Sequence, residues 1–416
     1  MKGKILVIFL LLSSIVACND RSEVPAPKPL PHLNEVLTNS VSDTSLLRGL
    51  DYEVERYMNK WELKGTSLAV VKNDSLVYAK GYGAFDYGVP MEAGNIFRLA
   101  SISKLVTATG IMVLAERDSL HLEDNVFGPG GILENEPYTE VIKNPLYNKI
   151  TVEHVLRHEA GFTTYSGDPM FSTLILKRSN RLDSDLDADM ISRLYLRRRL
   201  GFEPGTSNSY SNYGYLLLSM IIEKVTGQDY ETWIRENVLE PAGCFDFHIA
   251  YNYYEEKYPN ETRYFLHDTT LVEDFHDNGK MVERCYGGSD IRTLSGAGAW
   301  VASTPELARF VSSIDGREEV PDIISSESVA RMTKFVGKDN YGIGWNDISE
   351  DGIWTRTGTL AETTAIIRYY PDGECWIFVS NTGTWRGARL SRYTSKFLDE
   401  CRALYSASLP SRNLFE

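Results

Sequence analysis

Apolar and polar positions change rhythm three times along this chain. Residues 66–72 and 75–82 alternate or run apolar over short stretches and read as two strands. A long apolar-periodic run after Phe97-Arg98 reads as a helix. From about 150 to 286 the pattern is helix- and loop-rich, with a polar insert at 166–189. A short strand is expected at 297–302. The next helix is opened by Ser303-Thr304-Pro305-Glu306, which has the hydroxyl cap and early proline of a helix start. Strand-like runs return at 342–346, 353–356, 364–370 and 375–380, and an amphipathic helix closes the pattern at 390–404. Strands at both ends with helices between them predict an α/β protein of the α+β type. Its antiparallel sheet is built from both chain ends and flanked by helices, with a mostly helical subdomain (150–286) inserted. The active site is expected in the crevice between them.

The first residues have a different logic. Met1-Lys2-Gly3-Lys4 is basic, and residues 5–16 are apolar but short for a bilayer span. Ile15-Val16-Ala17-Cys18 resembles a bacterial lipobox, so residues 1–17 read as a signal peptide and Cys18 as a lipidated N-terminus anchored to the envelope membrane. Residues 18–45 follow as a polar spacer stiffened by Pro25-Ala26-Pro27-Lys28-Pro29-Leu30-Pro31. The folded domain is then expected over 46–405, with a tail at 406–416.

Charge and cysteine count narrow the field. A net charge of −14 over 416 residues, with no basic cluster, argues against nucleic acid as a partner. Cys244, Cys285, Cys375 and Cys401 permit three pairings in an exported protein. Their spacing is wide and a core of this size needs no staples, so no bridge is assigned. His154 and His158 stand at i and i+4, but no third ligand accompanies them, so neither metal nor cofactor is expected.

Three short motifs carry candidate chemistry. Ser101-Ile102-Ser103-Lys104 opens the first helix, and residues at i and i+3 share a helix face. A desolvated lysine there can take the serine's proton, and the helix start offers unpaired N–H groups for an oxyanion. Tyr210-Ser211-Asn212 follows Pro204-Gly205-Thr206 and leads into another helix. A phenol beside an ammonium can act as a base, and an asparagine amide can hold both lysine and substrate. Arg356-Thr357-Gly358-Thr359 ends a strand-like run, where glycine marks a close approach of backbone or ligand. Taken singly, each motif also fits an ordinary helix start, loop or strand.

In this order and in these local settings, the three motifs resemble those of the serine β-lactamase and penicillin-binding-protein superfamily. The resemblance runs from about Tyr57 to the last helix and is greatest for the branch of class C β-lactamases, D-alanyl-D-alanine carboxypeptidases and family VIII esterases. It includes Gly65-Thr66-Ser67-Leu68, His158-Glu159-Ala160-Gly161, Gly296-Ala297-Gly298 and Tyr341-Gly342-Ile343-Gly344-Trp345. It implies a β-lactamase/transpeptidase-like fold and an acyl-enzyme on Ser101, with Lys104 and Tyr210 as the base pair. Asn212 would orient substrate, and the amides of Ser101 and Thr359 would form the oxyanion hole. Arg356 departs from the Lys or His usual at its position. It cannot shuttle a proton, so it is expected to anchor a substrate carboxylate as a two-pronged fork, with Thr357, Gly358 and Thr359 lining the same site. The substrate is then a peptide, β-lactam or ester. The alternative is a non-catalytic sensor or peptidoglycan-binding lipoprotein of the same fold.

Overall fold

The computed structural model describes residues 32–165, 167–337 and 341–416. Its centre is a seven-stranded antiparallel sheet. In chain order the strands are β1 (Gly65–Lys72), β2 (Ser75–Asp86), β3 (Val89–Pro90), β4 (Asp347–Ile348), β5 (Trp354–Leu360), β6 (Thr363–Tyr369) and β7 (Glu374–Ser380). Their order across the sheet is β3-β2-β1-β7-β6-β5-β4. The N-terminal and C-terminal strands meet where β1 pairs with β7, Leu68 opposite Phe378 and Val70 opposite Trp376.

Side chains alternate across this sheet, and both faces are apolar, because helices cover both. Leu68, Val70, Trp376 and Phe378 face α1 (Arg48–Trp61) and α5 (Leu390–Tyr405), where they meet Val54, Tyr57, Phe397 and Leu398. Ala69, Val71, Ile377 and Val379 face the main core with Leu307, Phe310 and Val311 of α4 (Thr304–Ser312). Within that core lie α2 (Ser103–Glu116) and α3 (Asn212–Thr226), whose residues 103–114 and 212–222 are buried on every side. A helix apolar all round is a core helix, and these two bring Lys104 and Asn212 to the middle of the molecule.

The α+β architecture expected from the alternation is observed. The segment 342–346, expected as a strand, is instead an irregular loop. Gly344 has φ 79°, and a Cβ there would lie 3.0 Å from both Ala108 and Leu105, so the loop winds tightly onto α2. Only Trp300–Ala302 of the segment 297–302 is strand, paired with Phe97–Arg98 and His248–Ile249. Residues 32–45, expected as spacer, pack on the domain. Leu33 and Leu37 enter the core, and the Asn39 side chain bonds Gly81 and Met91 backbone. The expected tail also docks, with Phe415 buried and Leu414 N–H donating to Leu76 O at 2.8 Å. The signal segment, Cys18 and the proline run lie outside the described residues. The four cysteines from 244 onward are all buried and unbridged.

Candidate active site

Ser101 sits in a 3-10 turn, Ala100–Ile102, that runs directly into α2. Ala100, just before it, has φ 49°, a left-handed value that costs energy for any residue with a Cβ. Two features of β5 hold this turn. Gly358 lies against it so closely that a Cβ would stand 2.3 Å from Leu99 O and 3.1 Å from Ser101 N. Arg356 reaches the Ser101 carbonyl oxygen, donating from Nε at 2.8 Å and also from Nη2.

Lys104, one helical turn on, has no exposed surface. Its Nζ donates to Ala297 O at 2.5 Å and Asn212 Oδ1 at 2.7 Å, and lies 3.2 Å from Ser101 Oγ. Burial is the main cause that lowers its pKa to about 8, opposed by Tyr210 and assisted by the Arg356 charge. The Tyr210 hydroxyl donates to Ser101 Oγ at 2.8 Å. Burial pushes the phenol up, but the positive charges of Lys104 and Arg356 bring it below its ordinary value. Ser101 is thus flanked by two groups whose environments bring both pKa values below their ordinary ones.

Tyr210 is aimed by a clamp. Ser209 N–H donates to the His158 carbonyl at 2.9 Å, and Ser211 N–H to His158 Nδ1 at 3.2 Å. The His158 ring lies 4.6 Å from the Tyr210 ring. Burial, then the charges of Lys104 and Arg356, hold His158 well below its usual pKa, so the imidazole is neutral. His154 Nδ1 accepts from Thr151 N–H, so each histidine of the i, i+4 pair accepts from a backbone N–H. Ser211 caps α3 by accepting from Gly214 N–H at 3.1 Å, which places Asn212 at the helix start.

Ser101, Lys104, Tyr210 and Asn212 therefore converge on one point. Arg356 converges too, but not on the open cleft expected of it: it is 1 % exposed and two of its donors are on the Ser101 carbonyl. Thr357 N–H and hydroxyl both donate to Asn346 Oδ1, on the side of β5 away from β6. The two-residue alternation of a strand turns the Thr359 N–H to the same side. Two participants escaped the sequence. Asp168, in the polar insert, accepts from Asn212 Nδ2 at 2.7 Å. The Ala297 carbonyl follows a backbone twist at Ser295 (φ 41°) that no residue type announces. Asp168 precedes Pro169 at a turn start, and that signal alone marks a cap rather than a site.

A family model described as Beta-lactamase matches residues 50–398. The chain is 27 % identical to Penicillin-binding protein 4* of Bacillus subtilis (strain 168) over 353 residues, 77 % of this chain and 69 % of the relative. It is 27 % identical to Protein flp of Staphylococcus aureus (strain MW2), covering 77 % of this chain but spanning only 60 % of that relative's length. Among solved structures, the octameric penicillin-binding protein homologue from Pyrococcus abyssi is similar at a TM-score of 0.63 and 24 % identity, covering 88 % of this chain and 78 % of that one. A D-amino acid amidase from Ochrobactrum anthropi SV3 reaches 0.66 at 20 % identity, covering 87 % and 99 %. These last two likenesses concern the fold. With the family match over residues 50–398, this chain belongs to the beta-lactamase family.

Proposed function

We propose that the protein is a serine hydrolase that works through an acyl-enzyme on Ser101. The observation that carries this reading is the pair of contacts on one hydroxyl, Lys104 Nζ at 3.2 Å and Tyr210 OH at 2.8 Å from Ser101 Oγ. As Ser101 Oγ bonds to the acyl carbon, its proton passes to neutral Lys104. The carbonyl oxygen becomes an oxyanion, held by the Ser101 and Thr359 N–H groups. Collapse breaks the bond to the leaving group, which takes a proton from the Lys104–Tyr210 pair. Water then repeats the sequence to release the acid: its proton passes to Tyr210 as Tyr210 hands its own to neutral Lys104, and the pair returns a proton to Ser101 Oγ as the acyl bond breaks.

The substrate is a small amide, β-lactam or ester. Relatives named as penicillin-binding protein and D-amino acid amidase support peptide-like acyl groups. A preference for carboxylate substrates, expected from Arg356, loses its basis because the guanidinium fork is on Ser101. The test is mass spectrometry of intact protein with a penicillin, a fluorophosphonate and an activated ester. Wild type gains the corresponding adduct and Ser101→Ala gains none; an equal adduct on Ser101→Ala removes Ser101 from the mechanism. Among the described residues no helix is long and apolar enough to cross a membrane. The lipobox-like run ending at Cys18 supports a lipid anchor to the envelope membrane. Cys18→Ser is then expected to leave the membrane fraction, and retention after a high-salt wash would refute the anchor.

A further inference from the structure

The Lys104 ammonium has two partners that only accept and two that exchange protons. Ala297 offers a backbone oxygen and Asn212 its Oδ1, at 2.5 and 2.7 Å. On the remaining side stand the hydroxyls of Ser101 and Tyr210. A neutral amine has two N–H bonds and one lone pair. If both N–H bonds go to the two carbonyl oxygens, the lone pair is left facing the hydroxyls, which is where a base needs it. The arrangement is only as reliable as the Asn212 amide. A flipped amide would donate its NH2 into the same lone pair and block it.

Charged lysine enforces the correct amide orientation by itself, but the neutral lysine that acts as base does not. Something else must forbid the flip. Asp168 Oδ2 accepts from Asn212 Nδ2 at 2.7 Å, and its Oδ1 accepts from Met170 N–H at 3.0 Å. A carboxylate cannot face the amide oxygen of a flipped asparagine without two acceptors opposing each other. We infer that Asp168 is a positioning residue for the base: by locking the Asn212 amide it aims the lone pair of neutral Lys104 at the nucleophile. This rests on the reading of Lys104 as base, and it extends the catalytic apparatus to the polar insert.

Asp168 acts on Lys104 in a second way. The charged and titratable groups around that ammonium are Tyr210 and Asp168, which raise its pKa, and Arg356, which lowers it; His158 nearby is neutral. Removing the carboxylate therefore makes Lys104 easier to deprotonate while leaving its lone pair less well aimed.

The experiment is the pH dependence of Ser101 acylation by a fluorophosphonate and by an activated ester, in the full chain. Asp168→Asn keeps a residue that caps the turn at Pro169, so the fold is retained. An asparagine at 168 can also accept or donate, and so no longer selects one Asn212 orientation. The plateau rate is expected to fall about tenfold to a hundredfold, the range for losing a hydrogen bond to a charged group. The limb governed by Lys104 is expected to move to lower pH by at least about half a unit. Both effects should be the same for the two reagents, and Asp168→Glu should recover most of the rate. A plateau and limb like wild type would overturn the proposal. So would a slower plateau with an unmoved limb, or a loss confined to KM for one reagent; these mark a structural or a substrate contact. If wild type is labelled and Asp168→Asn is normal, only this inference fails. If wild type is not labelled at Ser101, the proposed function fails with it.

Discussion

At the scale of residues, Arg356 changes most between expectation and observation. Its side chain was expected to meet substrate, but two of its donors meet the Ser101 carbonyl oxygen. A strained turn with Ala100 at φ 49° needs such an external hold. Lysine cannot reproduce it, because a point charge has no fork. Arg356→Lys and Arg356→Gln are therefore expected to slow acylation of carboxylate-bearing and neutral esters by the same factor, on the order of tenfold or more. Rates measured with a matched pair of such esters decide it. A loss restricted to the carboxylate ester would restore Arg356 as the anchor of a substrate carboxylate.

At the scale of elements, the β1–β2 turn carries an unusual buried acid. Asn73 and Asp74 both have positive φ, and Asp74 points inward beside Asp315. The Asp74 carboxyl is buried and hydrogen-bonds the Asp315 carboxyl, a pairing that only a protonated partner can make. Burial, then the neighbouring Asp315 carboxylate, pushes the Asp74 pKa far above the usual carboxyl range. The folded state thus holds a proton that the unfolded chain releases at ordinary acid pH. The stabilisation from that proton is complete below the unfolded value and is lost as pH rises through the folded one. Mild alkali should therefore lower the melting temperature, and Asp74→Asn should flatten that dependence and raise Tm by about 2–4 °C at the alkaline end. Thermal melts at stepped pH test this. An Asp74→Asn profile parallel to wild type would count against it.

At the scale of the whole molecule, residues 32–45 and 406–416 are part of the folded body. Leu33 and Leu37 are buried, Ser42 Oγ donates to Ala79 O at 2.7 Å, and Arg309 Nη1 reaches Phe415 O at 3.1 Å. Burying two leucines contributes about 3–6 kcal/mol by area, an upper figure because unfolded chains are partly collapsed. Deleting residues 32–45 is accordingly expected to cost several degrees of Tm and to make the β1–β2 hairpin sensitive to protease. An unchanged melt would mean that this segment is a spacer after all.

Sequence by itself marked the central strands β1, β2, β6 and β7, because a short apolar run is a local signal, but it missed the two-residue edge strands β3 and β4 and put a strand at 342–346, where the chain loops. It also marked the residues that the fold brings together: a serine and a lysine one helical turn apart, a tyrosine and an asparagine at a helix start, and a glycine where two backbones touch. Gly358 was legible as a point of close approach because only glycine leaves room for another backbone. Tertiary structure alone decided what each group faces. Arg356 reads the same whether it meets a ligand or a peptide oxygen. Asp168 reads as a loop residue until Asn212, 44 positions on, arrives beside it. The Ala297 carbonyl has no side-chain signature at all. Patterning along a chain records where a residue sits relative to its neighbours in sequence. The direction of a hydrogen bond depends on partners that folding brings from elsewhere.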